Sequence, residues 1–205
     1  ADLVLVQADP EVTRVDLGDT SQTFQVARGS EQADADGARQ ATLLFPSGVA
    51  AVMHKPDGST QNLSTLNVRA TEYTVGSMGP AAMPASLPPT SGYTYAVEFN
   101  ADEAVQAGAT SVEFDQPLVF YVENFLHFPA GTTVPVGAYN REKGQWIPHE
   151  NGVVITMIGV SGGQAQVDIT ADGIQDPIGV LASFGITTAE LRQMALLYPV
   201  GQSLW

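Results

Sequence analysis

Glycine and proline constrain this chain more than any other residues. There are 20 glycines and 13 prolines among 205 residues, and they leave few uninterrupted segments long enough for a helix. They are densest between residues 76 and 92, where the sequence has Gly76, Gly79, Pro80, Pro84, Pro88, Pro89 and Gly92. Such punctuation favours short strands joined by turns. Alternating apolar and polar residues, as in Tyr93 to Phe99, are typical of strands.

The expected fold class is mainly β, with two β-sandwich-like domains and a short helical C-terminal appendix. We place the first domain at residues 1–78 and a Pro/Gly-rich linker at residues 79–92. The second domain is expected at residues 93–163. An Asp-rich loop and the helical appendix follow at residues 164–205.

Individual elements follow from local patterns. Alternation predicts strands in residues 2–7 and 12–17 and in Tyr93 to Phe99. The polar and acidic stretch from Ser30 to Gln40 is expected to be a loop. The Pro/Gly-rich stretch of residues 76–92 is expected to hold no regular element.

Three short helices are expected. Asn100 is the predicted cap of a helix that continues to Ala107, with Glu103 completing a capping box and Gly108 ending the helix. Helical spacing also covers Ile178 to Phe184 and Thr188 to Tyr198, the second with a threonine cap at Thr187 or Thr188.

Charge and cysteine content exclude several classes of function. Lys and Arg number 8 and Asp and Glu 22, so the formal net charge is −14 and the sequence pI is about 4.2. A negative field of this size repels phosphate and anionic lipid, so we expect neither nucleic-acid binding nor membrane insertion. No cysteine is present, which excludes disulfides and thiolate catalysis.

The sequence lacks the usual motifs of enzymes. The histidines, His54, His127 and His149, have no short ligand spacing. No Gly-x-Ser-x-Gly elbow marks a nucleophile, and no glycine-rich loop with lysine marks a phosphate site. We therefore expect no catalytic residues and a protein that is not an enzyme.

One acidic segment has the spacing of a calcium loop, which needs oxygen donors at alternate positions and a glycine at the sharp turn. Here Gly173 takes the sixth position if Asp168 is the first. The candidate metal ligands are Asp168, Thr170, Asp172, Ile174 (through its carbonyl) and Asp176. Thr170 stands where a carboxylate is usual, and Gly179 where the bidentate acid is expected. The alternative is an Asp-Gly turn whose last aspartate caps a helix that begins at Pro177.

The aromatic residues alternate within strands, so most are expected in the core. Trp146 lies beside polar Gln145 and near a turn, which makes it the candidate for an exposed, ligand-binding aromatic residue.

A short segment occurs in similar form in both halves of the sequence, and we call this recurrence the sequence echo. Leu44 to Gly48 (LFPSG) recurs as His127 to Gly131 (HFPAG). The echo has two explanations: coincidence in a chain rich in glycine and proline, or two related β-sandwich halves at residues 1–78 and about 90–160.

A longer set of segments resembles a block that lies upstream of the repeats in large bacterial RHS/YD-repeat proteins. The resemblance covers about residues 38–205. It rests on five segments in combination: Thr71 to Gly76 (TEYTVG), Leu87 to Tyr95 (LPPTSGYTY), Phe120 to Phe125 (FYVENF), Val134 to Gly137 (VPVG) and Gly144 to Pro148 (GQWIP).

The Phe-Pro-x-Gly turns also resemble, more distantly, the β-sandwich module of ankyrins, netrin receptors and zonula-occludens proteins. Some relatives of that module cleave themselves at a His-Phe-Ser sequence. Here Pro129 follows His127-Phe128, so the serine nucleophile is absent and no self-cleavage is expected from this motif.

The resemblance to RHS/YD-repeat proteins implies a non-enzymatic structural or interaction module of a large exported bacterial protein, extracellular or on the cell surface. Its partners would be other domains of the same polypeptide. In those relatives the region around Asp168 often resembles a calcium loop, so calcium is the one cofactor implied. The alternative function is a calcium-assisted module that binds extracellular carbohydrate or another cell-surface ligand.

Overall fold

The computed structural model describes residues 5–76, 79–86 and 94–205. Strands make up 39% and helices 13% of it, so the expected mainly β class with a helical C-terminal part is confirmed. The chain forms two compact units. Unit 1 comprises residues 1–83 and 87–121, and unit 2 comprises residues 84–86 and 122–205.

These units divide the chain at other positions than the predicted domains. Residues 97–121, expected in the second domain, supply three strands that pair with strands before residue 73 and therefore belong to unit 1. The expected appendix at residues 164–205 is continuous with the sheet of unit 2. Local patterns show where strands occur, but long-range pairing decides which strands share a sheet.

The described residues of unit 1 form eleven strands and two short helices. They are β1 (Thr13–Asp16), β2 (Phe24–Arg28), β3 (Gln32–Asp34), β4 (Gly37–Arg39), β5 (Thr42–Pro46), β6 (Ala51–His54), β7 (Thr60–Leu63), β8 (Thr65–Glu72), α1 (Gly79–Ala82), β9 (Val97–Ala101), α2 (Asp102–Gln106), β10 (Ser111–Phe114) and β11 (Val119–Tyr121). All pairings are antiparallel, in the orders β1-β8-β9, β10-β6-β7, β11-β5-β2 and β3-β4.

The core of unit 1 follows from the two-residue period of its strands. In β8, Leu66, Val68 and Ala70 are buried while the residues between them are partly exposed. The β8 residues Leu66 and Val68 belong to a cluster with Val15, Phe45 and others. Burying a side chain such as Leu66 contributes about 1.5–3 kcal/mol.

Four local predictions in unit 1 are wrong. Residues 5–7 are irregular rather than a strand, and the strand predicted from Tyr93 to Phe99 is irregular at residues 94–96 and begins at Val97. Residues 2–4 and 93 lie outside the described part. The expected acidic loop of residues 30–40 contains the hairpin β3-β4. Asp34 in this hairpin is held by Arg39, a partner that no periodicity shows. Residues 79–82, in the expected linker, form the single turn α1.

Helix α2 forms where expected, but its cap differs. Asn100 lies in β9 opposite Arg69, and the N-cap is Ala101, without a side-chain hydrogen bond. Glu103 instead accepts hydrogen bonds from the amide and side chain of Asn67. Gly108 follows the helix with a φ of 61°, as a stop signal requires.

Unit 2 contains seven strands and two helices. They are β12 (Thr133–Val134), β13 (Gly137–Asn140), β14 (Gln145–Pro148), β15 (Gly152–Val153), β16 (Ile155–Ser161), β17 (Gln164–Asp168), α3 (Ile178–Ser183), α4 (Thr188–Leu197) and β18 (Ser203–Leu204). The pairings are β12-β15, β13-β14 and β17-β16-β18. Gly162 and Gly163, both with positive φ, join β16 to β17 in a two-residue turn.

The predicted helices of unit 2 are confirmed. Helix α4 begins after Thr187, whose side chain accepts from the Glu190 amide, and the Glu190 side chain completes the capping box. Helix α4 lies against β17 and buries Leu191 and Met194.

The last residues of the chain pair both with β16 and with residues 122–124. Strand β18 pairs with β16 on one side. On the other side, Val122 and Trp205 exchange backbone hydrogen bonds of 3.0 and 3.1 Å. The Trp205 ring is buried and lies 5.5 Å from Phe125 and 5.4 Å from Phe128 between ring centroids.

The two halves of the sequence echo share a turn. Gly48 and Gly131 both have a φ of 77°. In each copy the proline carbonyl accepts from the amide three residues on, at 3.2 Å to Val49 and 3.1 Å to Thr132. This is the geometry of a type II turn, in which glycine tolerates the positive φ. The residues before the turns differ, because Leu44 and Phe45 lie in β5 whereas His127 has a φ of 56° in a loop.

No helix within the described ranges has the length and apolar character needed to span a membrane.

Candidate functional site

The acidic loop of residues 168–176 lies between β17 and α3 and is held together by its own carboxylates. Asp168 accepts from the amides of Ala171 (2.7 Å) and Gly173 (2.8 Å). Asp176 accepts from the amides of Ile169 (2.6 Å) and Thr170 (3.1 Å). Both aspartates are buried, at 4% and 6% exposure.

The other predicted ligands contribute less to this centre. Asp172 accepts from the Ile174 amide at 2.8 Å, and this contact is exposed. The Thr170 hydroxyl lies 3.3 Å from Oδ1 of Asp176 and 3.4 Å from Oδ1 of Asp168. Ala171 has a φ of 62°, so the loop reverses direction at a residue other than glycine.

This arrangement fits backbone capping better than it fits calcium. Calcium needs carboxylate and carbonyl oxygens that converge on one point. Here three of the four carboxylate oxygens of Asp168 and Asp176 accept from N–H donors, and the fourth, Oδ1 of Asp176, lies beside the Thr170 hydroxyl. Among residues 5–76, 79–86 and 94–205, no three His, Asp or Glu side chains are grouped so as to hold a metal ion. Calcium binding stays a prediction, and adding calcium to the native protein tests it.

The alternative interpretation of the loop also needs revision. Asp176 was the expected cap of a helix beginning at Pro177, but α3 begins at Ile178 with Pro177 as its N-cap and no side-chain cap. The Asp176 carboxylate instead binds the amides that precede it in the chain. It therefore closes the loop rather than the helix.

Trp146 lies on the β13-β14 hairpin, directly opposite Tyr139. Both side chains are partly buried, and their ring centroids are 5.5 Å apart with a 60° angle between planes. The indole Nε1 donates to the Ala85 carbonyl at 3.1 Å. This hydrogen bond fixes the orientation of the indole, and the pair forms an aromatic surface on a short hairpin.

The histidines occupy three unlike settings. His54 Nε2 lies 3.0 Å from Glu113 Oε2 across the β6-β10 pair, at the surface. The His127 amide donates to the Asn124 carbonyl, and the His149 amide donates to the Val136 carbonyl. These backbone contacts place His127 and His149 as parts of loops.

Unit 1 contains a buried ionic cluster that the sequence patterns do not predict. The Arg39 side chain is 1% exposed and donates to both carboxylate oxygens of Asp34, at 2.7 and 2.9 Å. It also donates to Oε1 of Glu72 from Nε (2.8 Å) and Nη2 (2.6 Å). The same Glu72 oxygen accepts from the Thr74 hydroxyl at 2.9 Å.

Electrostatics in this cluster favour the charged forms. Hydrogen bonds from Arg39 hold the pKa of Asp34 well below its usual value, with the Asp36 amide as the next cause. Burial opposes the charge of Arg39, but its bonds to Asp34 and Glu72 raise the pKa of the guanidinium. The cluster joins β3, β4 and β8, and no signal in the sequence indicates it, because Glu72 lies 33 residues from Arg39.

No protein-family model, curated protein or solved structure matches this chain.

Proposed function

We propose that this chain is a non-enzymatic structural and interaction module of a large exported bacterial protein of the RHS/YD-repeat type, extracellular or on the cell surface. The observation that supports this is the use of its buried charged groups. Arg39, Asp34 and Glu72 hold one another, and Asp168 and Asp176 hold backbone amides. Each of these groups fixes a hairpin or loop, as a scaffold requires.

The sequence of the parent gene tests the context of this module. We expect Tyr-Asp repeats in the coding sequence that follows residue 205, and an export signal before residue 1. A parent without repeats on either side contradicts the assignment to this class of protein. Binding between the purified chain and an adjacent repeat segment, measured by calorimetry, tests the interaction role separately.

Carbohydrate or cell-surface binding is the second candidate, and the Tyr139–Trp146 pair favours it. A tryptophan whose Nε1 is fixed presents its ring in one orientation, and such a ring can stack on the apolar face of a sugar. We expect a glycan array to give signals that Trp146→Ala abolishes. Phe184→Ala is the matched control, because Phe184 is also in unit 2 and is 51% exposed. Equal signals for both variants, or none for the wild type, contradict this candidate.

A further inference from the structure

The peptide bond between Asp9 and Pro10 has a charged donor on its carbonyl group. The carbonyl oxygen of Asp9 accepts a hydrogen bond of 2.6 Å from Nη1 of Arg69. Asp9 itself is 5% exposed, whereas Pro10 is exposed. The carbonyl side of this bond is therefore enclosed by protein, and its nitrogen belongs to a residue that solvent reaches.

Arg69 is held in position by Asp102. Its Nε donates to Oδ1 of Asp102 at 2.7 Å and its Nη2 to Oδ2 at 3.0 Å. This two-pronged contact uses one edge of the planar guanidinium and directs Nη1 at the Asp9 carbonyl oxygen. A guanidinium keeps its charge at every pH at which the protein is folded.

The Asp9 carboxylate is fixed beside its own peptide bond. Its Oδ1 accepts from the Glu11 amide at 2.8 Å, a turn in which the side chain folds back over the following peptide group. The Ser30 hydroxyl binds the same oxygen at 2.6 Å, and the Ser30 amide binds Oδ2 at 2.8 Å. The Asp9 amide donates to the Thr71 hydroxyl at 3.0 Å, which holds the backbone.

We propose that the chain cleaves itself between Asp9 and Pro10. A carboxylate oxygen of Asp9 attacks the carbonyl carbon of the same residue and forms a C–O bond, which closes a five-membered ring. Arg69 stabilises the negative charge that develops on the carbonyl oxygen. The bond from this carbon to the Pro10 nitrogen then breaks, and the nitrogen takes a proton from solvent.

Water completes the reaction. It opens the cyclic anhydride and leaves two carboxyl groups on Asp9, one on the side chain and one at the new chain end, while Pro10 becomes the new amino terminus. Proline is the suitable leaving group because its nitrogen carries no hydrogen in the peptide and departs as a basic secondary amine. This single-turnover step goes beyond the proposed structural role and leaves that role intact.

The chain contains its own reference bond. Asp176–Pro177 is the same dipeptide, and its carboxylate, like that of Asp9, accepts from backbone amides, here those of Ile169 and Thr170. The comparison therefore tests the contact of Arg69 with the Asp9 carbonyl. We follow both bonds by intact-mass spectrometry of the full chain during incubation in mildly acidic and neutral buffer. An oxyanion donor is worth about 10²-fold or more in rate, so we expect the Asp9–Pro10 bond to break about 10²-fold faster than the Asp176–Pro177 bond.

Guanidinium chloride supplies the control for intrinsic lability. In denaturant both bonds lose their surroundings, so the ratio of their rates falls to near one. Equal rates in the native protein overturn the proposal. Faster cleavage of Asp9–Pro10 in denaturant than in buffer also overturns it, because the fold then protects the bond.

Two variants test the assigned groups. Pro10→Ala keeps the Asp9 carboxylate and the Arg69 contact and replaces the departing secondary amine with a primary one, so we expect cleavage to slow. Arg69→Lys keeps a positive charge but loses the two-pronged contact with Asp102, and we expect the rate to fall about 10²-fold. Arg192→Lys, at an exposed position of α4, keeps the wild-type rate.

Circular dichroism establishes which variants are folded. If Arg69→Lys is unfolded, Asp102→Asn replaces it, since this change only weakens the positioning of Arg69. A folded variant of either kind that cleaves at the wild-type rate contradicts the role of Arg69.

Discussion

The two units hold buried carboxylates in different ways. In unit 1, Asp34 and Glu72 face the guanidinium of Arg39, with partners 5 and 33 residues apart in sequence. In unit 2, Asp168 and Asp176 face backbone amides within seven residues of themselves. The Arg39 side chain connects distant strands, whereas the amides that bind Asp168 and Asp176 belong to the same loop as these carboxylates. The same residue type therefore gives long-range order in one unit and local order in the other.

The difference has an energetic consequence. Removing one partner of a buried ion pair leaves an uncompensated charge in the interior and costs about 3–5 kcal/mol. Removing a carboxylate from a set of amides leaves neutral donors, each of which costs about 1–3 kcal/mol when unsatisfied. Substitutions in unit 1 are therefore expected to have the larger effects.

The largest effect is expected from Arg39→Met. The change removes the cation and leaves Asp34 and Glu72 facing each other, so the free energy of unfolding of the folded chain falls by about 3–5 kcal/mol. Chemical denaturation measures the loss. The exposed Arg192→Met is the control and is expected to change stability by less than about 0.5 kcal/mol. A loss for Arg39→Met no larger than this refutes the cluster's importance.

Gly131→Ala tests how closely the turn at residue 131 packs against the loop of residues 168–176. A Cβ at residue 131 would lie 2.5 Å from the carbonyl oxygen of Ile169, whose amide binds Asp176. Gly48→Ala has the same φ of 77°, but nothing lies within 4 Å of its added Cβ. We expect Gly48→Ala to cost about 1–2 kcal/mol for the positive φ alone, and Gly131→Ala about 1–3 kcal/mol more. Equal losses in thermal denaturation contradict the close packing against Ile169.

Asp176→Asn has a smaller expected effect. The asparagine can keep its one acceptor oxygen where Oδ2 accepts from the Ile169 and Thr170 amides, but it loses the negative charge and places an NH₂ group at the position of Oδ1, beside the Thr170 hydroxyl. We expect a loss of about 1–3 kcal/mol by chemical denaturation. Calcium and chelator added to the wild type complete this test, since a cation that binds only the native state raises the melting temperature. An unchanged midpoint at millimolar calcium supports the backbone-capping role, and an increase that Asp176→Asn removes supports a calcium site.

The smallest effect concerns pH. The folded-state pKa of Asp34 lies below its usual value of 3.8, so its contribution to stability is present above that value and is lost as the pH falls through the folded-state pKa. We expect melting temperatures to decline in acid and Asp34→Asn to make this decline shallower. The exposed Asp115→Asn is not a suitable control, because Asp115 accepts from the Ala50 amide. Glu150→Gln, at an exposed position of unit 2, serves instead, and an identical decline in both variants contradicts the assignment.

The sequence predicted many of the strands and helices but few of the contacts between distant residues that hold them together. Alternation identified the mainly β class, and the cap at Thr187 placed α4, because these signals lie within a few residues of each other. The hairpin of residues 32–39 was missed, since its polar and acidic residues are typical of a loop. The contact of Arg39 with Glu72, 33 residues further on, leaves no local pattern. The candidate calcium loop was recognised from its spacing, but spacing does not show whether carboxylates face each other or the backbone.

The pairing of Ser203–Leu204 and Trp205 with residues 122–124 has a consequence for synthesis on the ribosome. The side chain of Asn124 reaches the hydroxyl of Ser203 across 79 residues of sequence. Unit 2 therefore cannot complete its sheet until residue 205 has left the exit tunnel. Until then, Phe125 and Phe128 lack the ring contacts that they make with Trp205 in the folded protein. A nascent chain stalled before that point is the form in which this protein is most open to chaperones and to aggregation.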